Sequence, residues 1–430
     1  MTSRTEPEEA FVWIWLPGRT EPVVAGRLAK IDRRLVFNYG RSYLQRRDAI
    51  PIYDPELPLR AGALPLAAGL NMPSCLRDAA PDAWGRRVIL NRRLGRKGRN
   101  ADTGDLDELI YLLESGSDRS GAVDFQASPT RYEPRQAAAA TLDELTNSVK
   151  RVEAGIPLTP ELDQALLHGS SLGGARPKAV IAADDRTFIA KFSSRTDIAN
   201  VVKGEFVAMR LAALVGLDVA PVELTKVDQK DVVLIERFDR EKVDAGWLRK
   251  ATVSALTLFQ LDEMMARYAS YEDLATIIRH RFMSPTETLR ELFARVVFNV
   301  LCGNTDDHAR NHAAFWDGHS LRLTPAYDIC PQPRSGNEAT QAMIIADDNR
   351  RSQIAVCLAA APNFLLSPHA AASIVEHQLR TIVETWPRVC REAELTEVEH
   401  NALWRRQILN PFVLEGAPPA MMDLVDGADR

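Results

Sequence analysis

The sequence predicts an α+β fold in two lobes, a β-rich N-terminal lobe with an added subdomain and a mostly helical C-terminal lobe. Three observations carry this. The 430 residues exceed the usual size of a single core. Up to about Phe238, short apolar runs alternate with polar breaks, as strands do. Beyond Arg240 the apolar spacing becomes mostly helical.

Taken in order, residues 11–16, 23–31 and 35–39 read as strands, followed by a Pro-rich stretch at 51–65. Residues 82–99 and 106–113 turn helical, and 126–136, with Pro129 and Pro134, reads as a linker. These divisions give a subdomain over 1–125, a linker and helix over 126–157, a lobe core over 158–240 and a helical lobe over 241–430. Within the core, a Gly/Ser-rich turn at 169–174 precedes strands at 179–183 and 187–192, broken by Asp184-Asp185-Arg186. A helix at 199–215 closed by Gly216 follows, then strands near 222–227 and 232–238. In the last region Ser284-Pro285-Thr286-Glu287 marks a helix start with an N-cap serine and a glutamate three residues on. Leu289, Leu292, Phe293, Val296, Val297 and Val300 then form one buried stripe ending at Gly303.

Composition narrows the function classes. A net charge of −5 argues against broad nucleic-acid binding by the chain alone. The basic run from Arg86 to Arg99 reads as a solvated helix face. Five cysteines without a CxxC pair suit reduced thiols. Glu6, Glu8 and Glu9 stand where a signal peptide would carry its basic end, and no apolar run reaches the ~20 residues of a bilayer span. The expectation is a cytoplasmic protein without a membrane partner.

The chemistry is concentrated after Gly303. Asp306 and Asn311 stand five positions apart in a loop, a hairpin turning at Asp317-Gly318 follows, and Tyr327-Asp328-Ile329 brings a second acid. Asp, four residues, Asn, hairpin, Asp is the order in which protein kinases place a catalytic base and two metal ligands. Phosphoryl transfer needs a carboxylate at the nucleophile's proton and oxygen ligands for Mg²⁺ against the phosphates of ATP. Asp306 is thus the candidate base, with Asn311 and Asp328 as candidate metal ligands. Upstream, the backbone of Ser171, Leu172, Gly173, Gly174 and Ala175 is placed to cradle phosphates. Lys191 stands where a strand lysine would contact them, with Glu205 on the next helix as its candidate ion-pair partner. Glu236 and Phe238 mark the stretch for the adenine edge, and His308 joins the nucleotide-binding candidates or braces the loop.

Four blocks make the chain resemble the HipA-like family of bacterial toxin-type Ser/Thr kinases of type II toxin–antitoxin systems. They are residues 171–178 (SLGGARPK), 235–240 (IERFDR), 305–311 (TDDHARN) and 327–329 (YDI). Weaker echoes lie at 76–82 and 117–123. The resemblance implies a two-lobed protein-kinase-like fold, ATP and Mg²⁺ as cofactors, and a bacterial protein substrate, the known kind being an aminoacyl-tRNA synthetase. It also implies autophosphorylation of a loop serine, matched by Ser171 and less well by Ser170. The implied partner is a helix-turn-helix antitoxin on a separate chain, through which DNA is reached only indirectly. Arg176-Pro177 departs from the uncharged amide and acid of the best-known members, which bears on loop mobility and target choice.

Each residue also has a plainer reading: Lys191 as an exposed edge lysine, Glu205 as a solvated helical acid, the serines and glycines as loop. Two other functions compete, a small-molecule kinase and an inactive kinase-like module that binds an antitoxin or operator complex. A zinc site at His308 and His312 is disfavoured, because Ala309 stands where a zinc peptidase would carry its glutamate.

Overall fold

Short apolar runs near the start of the chain build an antiparallel sheet from β1 (Glu9–Ile14), β2 (Val23–Ile31) and β3 (Arg34–Tyr39). β4 (Val123–Gln126) joins β1 from far along the sequence, giving the order β3-β2-β1-β4. The sequence reading misses β4 because four residues, Val-Asp-Phe-Gln, are too few to display a period, and its two polar side chains are buried. At Gly26 on β2 a Cβ would lie 2.3 Å from the Asn38 carbonyl oxygen and 2.6 Å from the Phe37 ring. A side chain there would pry β2 from β3.

The computed structural model describes residues 6–94, 102–135, 141–154, 156, 158, 176–194, 197 and 199–427. They fall into two units: 1–196 with 225–253 and 315–319, and 197–224 with 254–314 and 320–430. In the first unit α1 (Ala83–Leu94), α2 (Glu108–Glu114) and α3 (Leu142–Glu153) follow the opening sheet. A reciprocal capping box of Thr141 and Glu144 starts α3. A second antiparallel sheet holds β5 (Lys178–Ala183), β6 (Arg186–Phe192) and β8 (Lys230–Glu236), with β7 (Val222–Val227) at its edge. Trp84 and Val88 of α1 and Val149 and Val152 of α3 bury against Ala179, Ala190, Phe192 and Val232 of this sheet. Such burial contributes roughly 1.5–3 kcal/mol per large side chain.

Residues 240–254 depart from the expected helical pattern. They form β9 (Arg240–Val243), β10 (Gly246–Arg249) and β11 (Ala251–Ser254). Strands of four residues are too short to display a period. The β9–β10 turn relies on Gly246 at φ +134°, and Lys242 lies 5.2 Å from the Trp247 ring centre.

The same unit contains a buried ionic joint. Arg237 and Arg240 both donate to Asp239, at 2.9 Å, and both reach Asp118, at 3.0 and 2.8 Å. Asp239 also accepts the Gly121 backbone N–H at 2.8 Å, and Arg237 donates to the Arg119 carbonyl at 2.8 Å. Two guanidiniums thus face two carboxylates, tying the 117–123 segment to the end of the second sheet. Gly121 takes φ +76°, and a Cβ there would sit 3.0 Å from Thr252 Oγ1. Glycine keeps that corner unstrained.

In the second unit α4 (Val201–Leu214), α5 (Tyr271–Arg281), α6 (Pro285–Cys302), α7 (Pro368–Glu392) and α8 (Glu397–Leu403) dominate. The predicted stripe on α6 is buried throughout. The capping expected of Ser284 is absent: at φ −128°, ψ 74° its side chain makes no cap hydrogen bond. Its carbonyl instead accepts from the Thr288 backbone at 3.0 Å and from Thr288 Oγ1 at 2.7 Å. α6 ends at Gly303, which is left-handed at φ +74° and lies so close to Gln407 that a Cβ would be 2.5 Å from its carbonyl oxygen. No helix among the described residues is long and apolar enough to cross a membrane.

Candidate active site

Gly303 turns the chain out of α6 into the loop that carries Asp306, Asp307 and Asn311. The turn is closed by Asn304 N–H on the Asn299 carbonyl at 2.9 Å, and by Asn304 Nδ2 on Asn299 Oδ1, also 2.9 Å. The two adjacent acids then part. Asp306 is exposed, while Asp307 is only 2% exposed. Asp307 Oδ2 accepts from the Tyr271 hydroxyl, from Asn299 Nδ2 at 2.7 Å and from His312 Nε2 at 2.9 Å. Burial, and then the facing Asp307, push the Tyr271 phenol well above its ordinary range, so this hydroxyl remains a donor.

The Asp306 backbone is held as firmly. Its carbonyl accepts the His308 N–H at 2.8 Å and Asn311 Nδ2 at 3.3 Å. The Asn311 N–H closes back on the His308 carbonyl at 2.8 Å, making a short 3₁₀ turn over Ala309–Asn311. Asn311 is buried, with its Nδ2 turned to the loop and its Oδ1 left as the acceptor. Past it come β12 (Ala313–Trp316) and β13 (Leu321–Leu323), with Gly318 at φ +100° in the predicted turn.

Asp328 arrives from a different part of the second unit. Residue 326 bridges to Val219 after α4, through Ala326 N–H on the Asp218 carbonyl at 2.8 Å and Ala220 N–H on the Ala326 carbonyl at 2.9 Å. The Tyr327 hydroxyl donates to the Arg310 carbonyl at 2.7 Å, joining the Asp328 segment to the Asp306–Asn311 loop. Asp328 is half-buried at φ +57°. Aspartate adopts that left-handed conformation more readily than most residues, as Asp184 does in the β5–β6 turn. An amide oxygen and a carboxylate on segments joined this way are the hard donors that suit Mg²⁺.

Two of the remaining candidates contradict their plainer readings. Lys191 lies on β6, a central strand, and is 8% exposed, so it is no edge lysine. Glu205 on α4 is 2% exposed, so it is no solvated acid. Lys178, also buried, stands directly across from Lys191 in the β5–β6 register. Glu236 ends β8 with Arg186 at 3.5 Å, and Phe238 packs edge-on to Phe315 at 5.7 Å between centroids. Ser170, Ser171, Leu172, Gly173, Gly174 and Ala175 lie outside the described residues.

The ring that braces the loop belongs to His312, where sequence reasoning offered His308. His308 contributes its backbone, and its Nδ1 is buried with no hydrogen-bond partner among the described residues. Engaged with Asp307, His312 Nε2 is not available as a zinc ligand. Tyr271, Asn299 and Asp307 were missed altogether. Only the Asp-Asp doublet and a histidine five positions later hint at them.

Matches to known proteins address the family and the fold. Residues 170–386 match the model of the HipA-like C-terminal domain, and residues 15–126 that of the HipA N-terminal domain. A Sinorhizobium fredii relative named as a candidate kinase, Y4mE, is 25% identical over 345 residues, 74% of this chain and 76% of that one. The serine/threonine-protein kinase toxin HipA of Shewanella oneidensis is 26% identical over 146 residues, 30% of this chain and 34% of that one. Among solved structures, HipA in the Shewanella oneidensis complex of HipA, HipB and operator DNA superposes with a TM-score of 0.66 at 18% identity, covering 98% of this chain and 97% of that one. The fold is therefore the α+β, kinase-like fold expected from the sequence.

Proposed function

The chain belongs to the HipA-like family, and from that premise we propose that it is an ATP- and Mg²⁺-dependent protein Ser/Thr kinase. One observation carries the reading furthest. The Tyr327–Arg310 hydrogen bond at 2.7 Å holds the Asp328 segment to the loop that bears Asp306 and Asn311. That contact supports reading acid, amide and second acid as one site, in the order phosphoryl transfer requires.

Mg-ATP, when bound, supplies the γ-phosphoryl group and a metal that offsets charge on the phosphates. Asp306, the exposed acid, orients the substrate hydroxyl and takes its proton. Asn311 Oδ1 and the Asp328 carboxylate would hold the metal. Lys191 pairs with phosphate oxygens and Glu205 is its ion-pair candidate, while the 171–175 backbone cradles the phosphates. Glu236 and Phe238 would bind the adenine edge, with His308 as a further nucleotide-binding candidate.

The acceptors are a serine of a bacterial protein, an aminoacyl-tRNA synthetase being the class the resemblance implies, and Ser171 (or Ser170) of the chain itself. A toxin role, restrained by a HipB-like antitoxin on a separate chain, completes the proposal. Its support is the resemblance to a HipA found with HipB and operator DNA.

The test is incubation of wild type and Asp306→Asn with labelled Mg-ATP, followed by mapping of phosphoserine. Label on Ser171 in the wild type, reduced roughly 10²–10⁴-fold in the variant, is expected. Equal labelling would remove Asp306 from its role. No label in a wild type that binds ATP would overturn protein kinase activity in favour of a small-molecule kinase or an inactive binding module.

A further inference from the structure

The doublet Asp306-Asp307 sets two carboxylates side by side in sequence, and the fold gives them opposite surroundings. Asp307 is too buried to meet a substrate hydroxyl, and its Oδ2 already accepts three hydrogen bonds. The donors come from three places: Tyr271 from the first residue of α5, Asn299 from the last turn of α6, and His312 from just past the loop.

Each donor is itself fixed. Asn299 cannot turn its amide over, because its Oδ1 accepts Asn304 Nδ2 at 2.9 Å. The His312 ring stands edge-on to Tyr271 at 5.6 Å, and its carbonyl accepts the Ala255 N–H at 2.7 Å. With a carboxylate facing Nε2, the proton of a neutral His312 sits there. Its Nδ1 is buried with no hydrogen-bond partner among the described residues.

We propose that Asp307 is a positioning residue for the phosphoryl-transfer reaction. It pins the middle of the loop to α5 and α6, so that the adjacent Asp306 carboxylate is held outward at one fixed distance from the incoming hydroxyl. The argument rests on the kinase reading given above. The two flanks of Asp306 are then determined independently: its carbonyl by His308 and Asn311, its C-terminal neighbour by the three donors on Asp307. A base on a short loop needs both. With either flank loose, the carboxylate samples positions around an ångström apart, which costs on the order of 10²-fold in rate.

Asp307→Asn keeps the size but leaves a neutral amide oxygen, a weaker acceptor than the carboxylate, where three donors converge. It is expected to lower kcat for autophosphorylation by roughly 10- to 100-fold with the KM for Mg-ATP within about twofold of wild type. Placed in the Asp306→Asn background it should add no further loss, because a positioning residue has nothing left to position. Tyr271→Phe, which deletes one donor and keeps the packing, should give a smaller loss in kcat of the same kind, and it decides the matter if Asp307→Asn does not fold.

A wild-type kcat in the tested variant, or a multiplicative loss on top of Asp306→Asn, would overturn the role, as would a loss expressed in KM alone. Hydrogen exchange keeps this separate from the kinase reading. If the wild type binds Mg-ATP and transfers nothing, the kinase reading fails. If amides 304–312 exchange no faster in Asp307→Asn than in wild type, this inference fails.

Discussion

Two buried carboxylates, Asp239 in the first unit and Asp307 in the second, are held by opposite means. Around Asp239 the partners are charged: Arg237 and Arg240, with Asp118 restoring the balance and one backbone N–H completing the set. Around Asp307 they are a phenol, an amide and an imidazole, gathered on a single oxygen. Coulomb attraction is strong but tolerant of angle, so the arginine cluster joins two segments without fixing any side chain finely. Hydrogen bonds gathered on one oxygen are directional, so they dictate where a loop atom lies. One arrangement suits a joint, the other a loop that must aim.

The comparison can be broken at the joint first. Arg237→Ala leaves Asp239 and Asp118 short of a cation in a buried setting, and a loss of about 3–5 kcal/mol in denaturant unfolding is expected. Acidification tests the same cluster more gently. Burial pushes the Asp239 carboxyl up, but Arg237 and then Arg240 outweigh it and hold it below its usual range. Such a group stabilises the fold above its unfolded value of about 3.9 and loses that contribution as pH falls through the lower folded value. Stability should therefore drop below about pH 4, and Asp239→Asn should flatten that limb. A limb unchanged in the variant would show that other carboxylates govern acid unfolding.

The smallest effect sharpens the contrast. Arg186 and Glu236 lie 3.5 Å apart with 47% and 29% of their side chains exposed. Arg186→Ala should cost less than about 1 kcal/mol. If Arg237→Ala cost no more than this, charge balance in the joint would be irrelevant to its strength.

What the sequence made legible follows from range. The hairpin over 178–192 needs only an Asp-Asp turn between two apolar runs, and it appears with Asp184 at φ +42°. The predicted helices over 199–215 and from 284 onward appear as Val201–Leu214 and Pro285–Cys302, because an apolar stripe and a terminal glycine are local signals. The order Asp306, Asn311, Asp328 could be read because chemistry constrains both its spacing and its residue types.

What the sequence hid depends on distant contacts. Tyr271 meets Asp307 across 36 residues, and the Asp118–Arg240 pair spans 122. No periodicity encodes such meetings. Asp307 was overlooked for a further reason: beside Asp306 it looks like the same residue, and only burial tells them apart.

The close approach at Gly303 has a consequence in time. The end of α6 is packed against Gln407, and Leu409 N–H donates to the Leu301 carbonyl at 2.8 Å. The stretch that seats the start of the loop is therefore made about a hundred residues after the loop itself, roughly 5–20 s later at ordinary rates of synthesis. A ribosome-bound chain that has just extruded Asp306 lacks the backing for it. The loop that carries Asp306 is then seated only after residue 409 has been made.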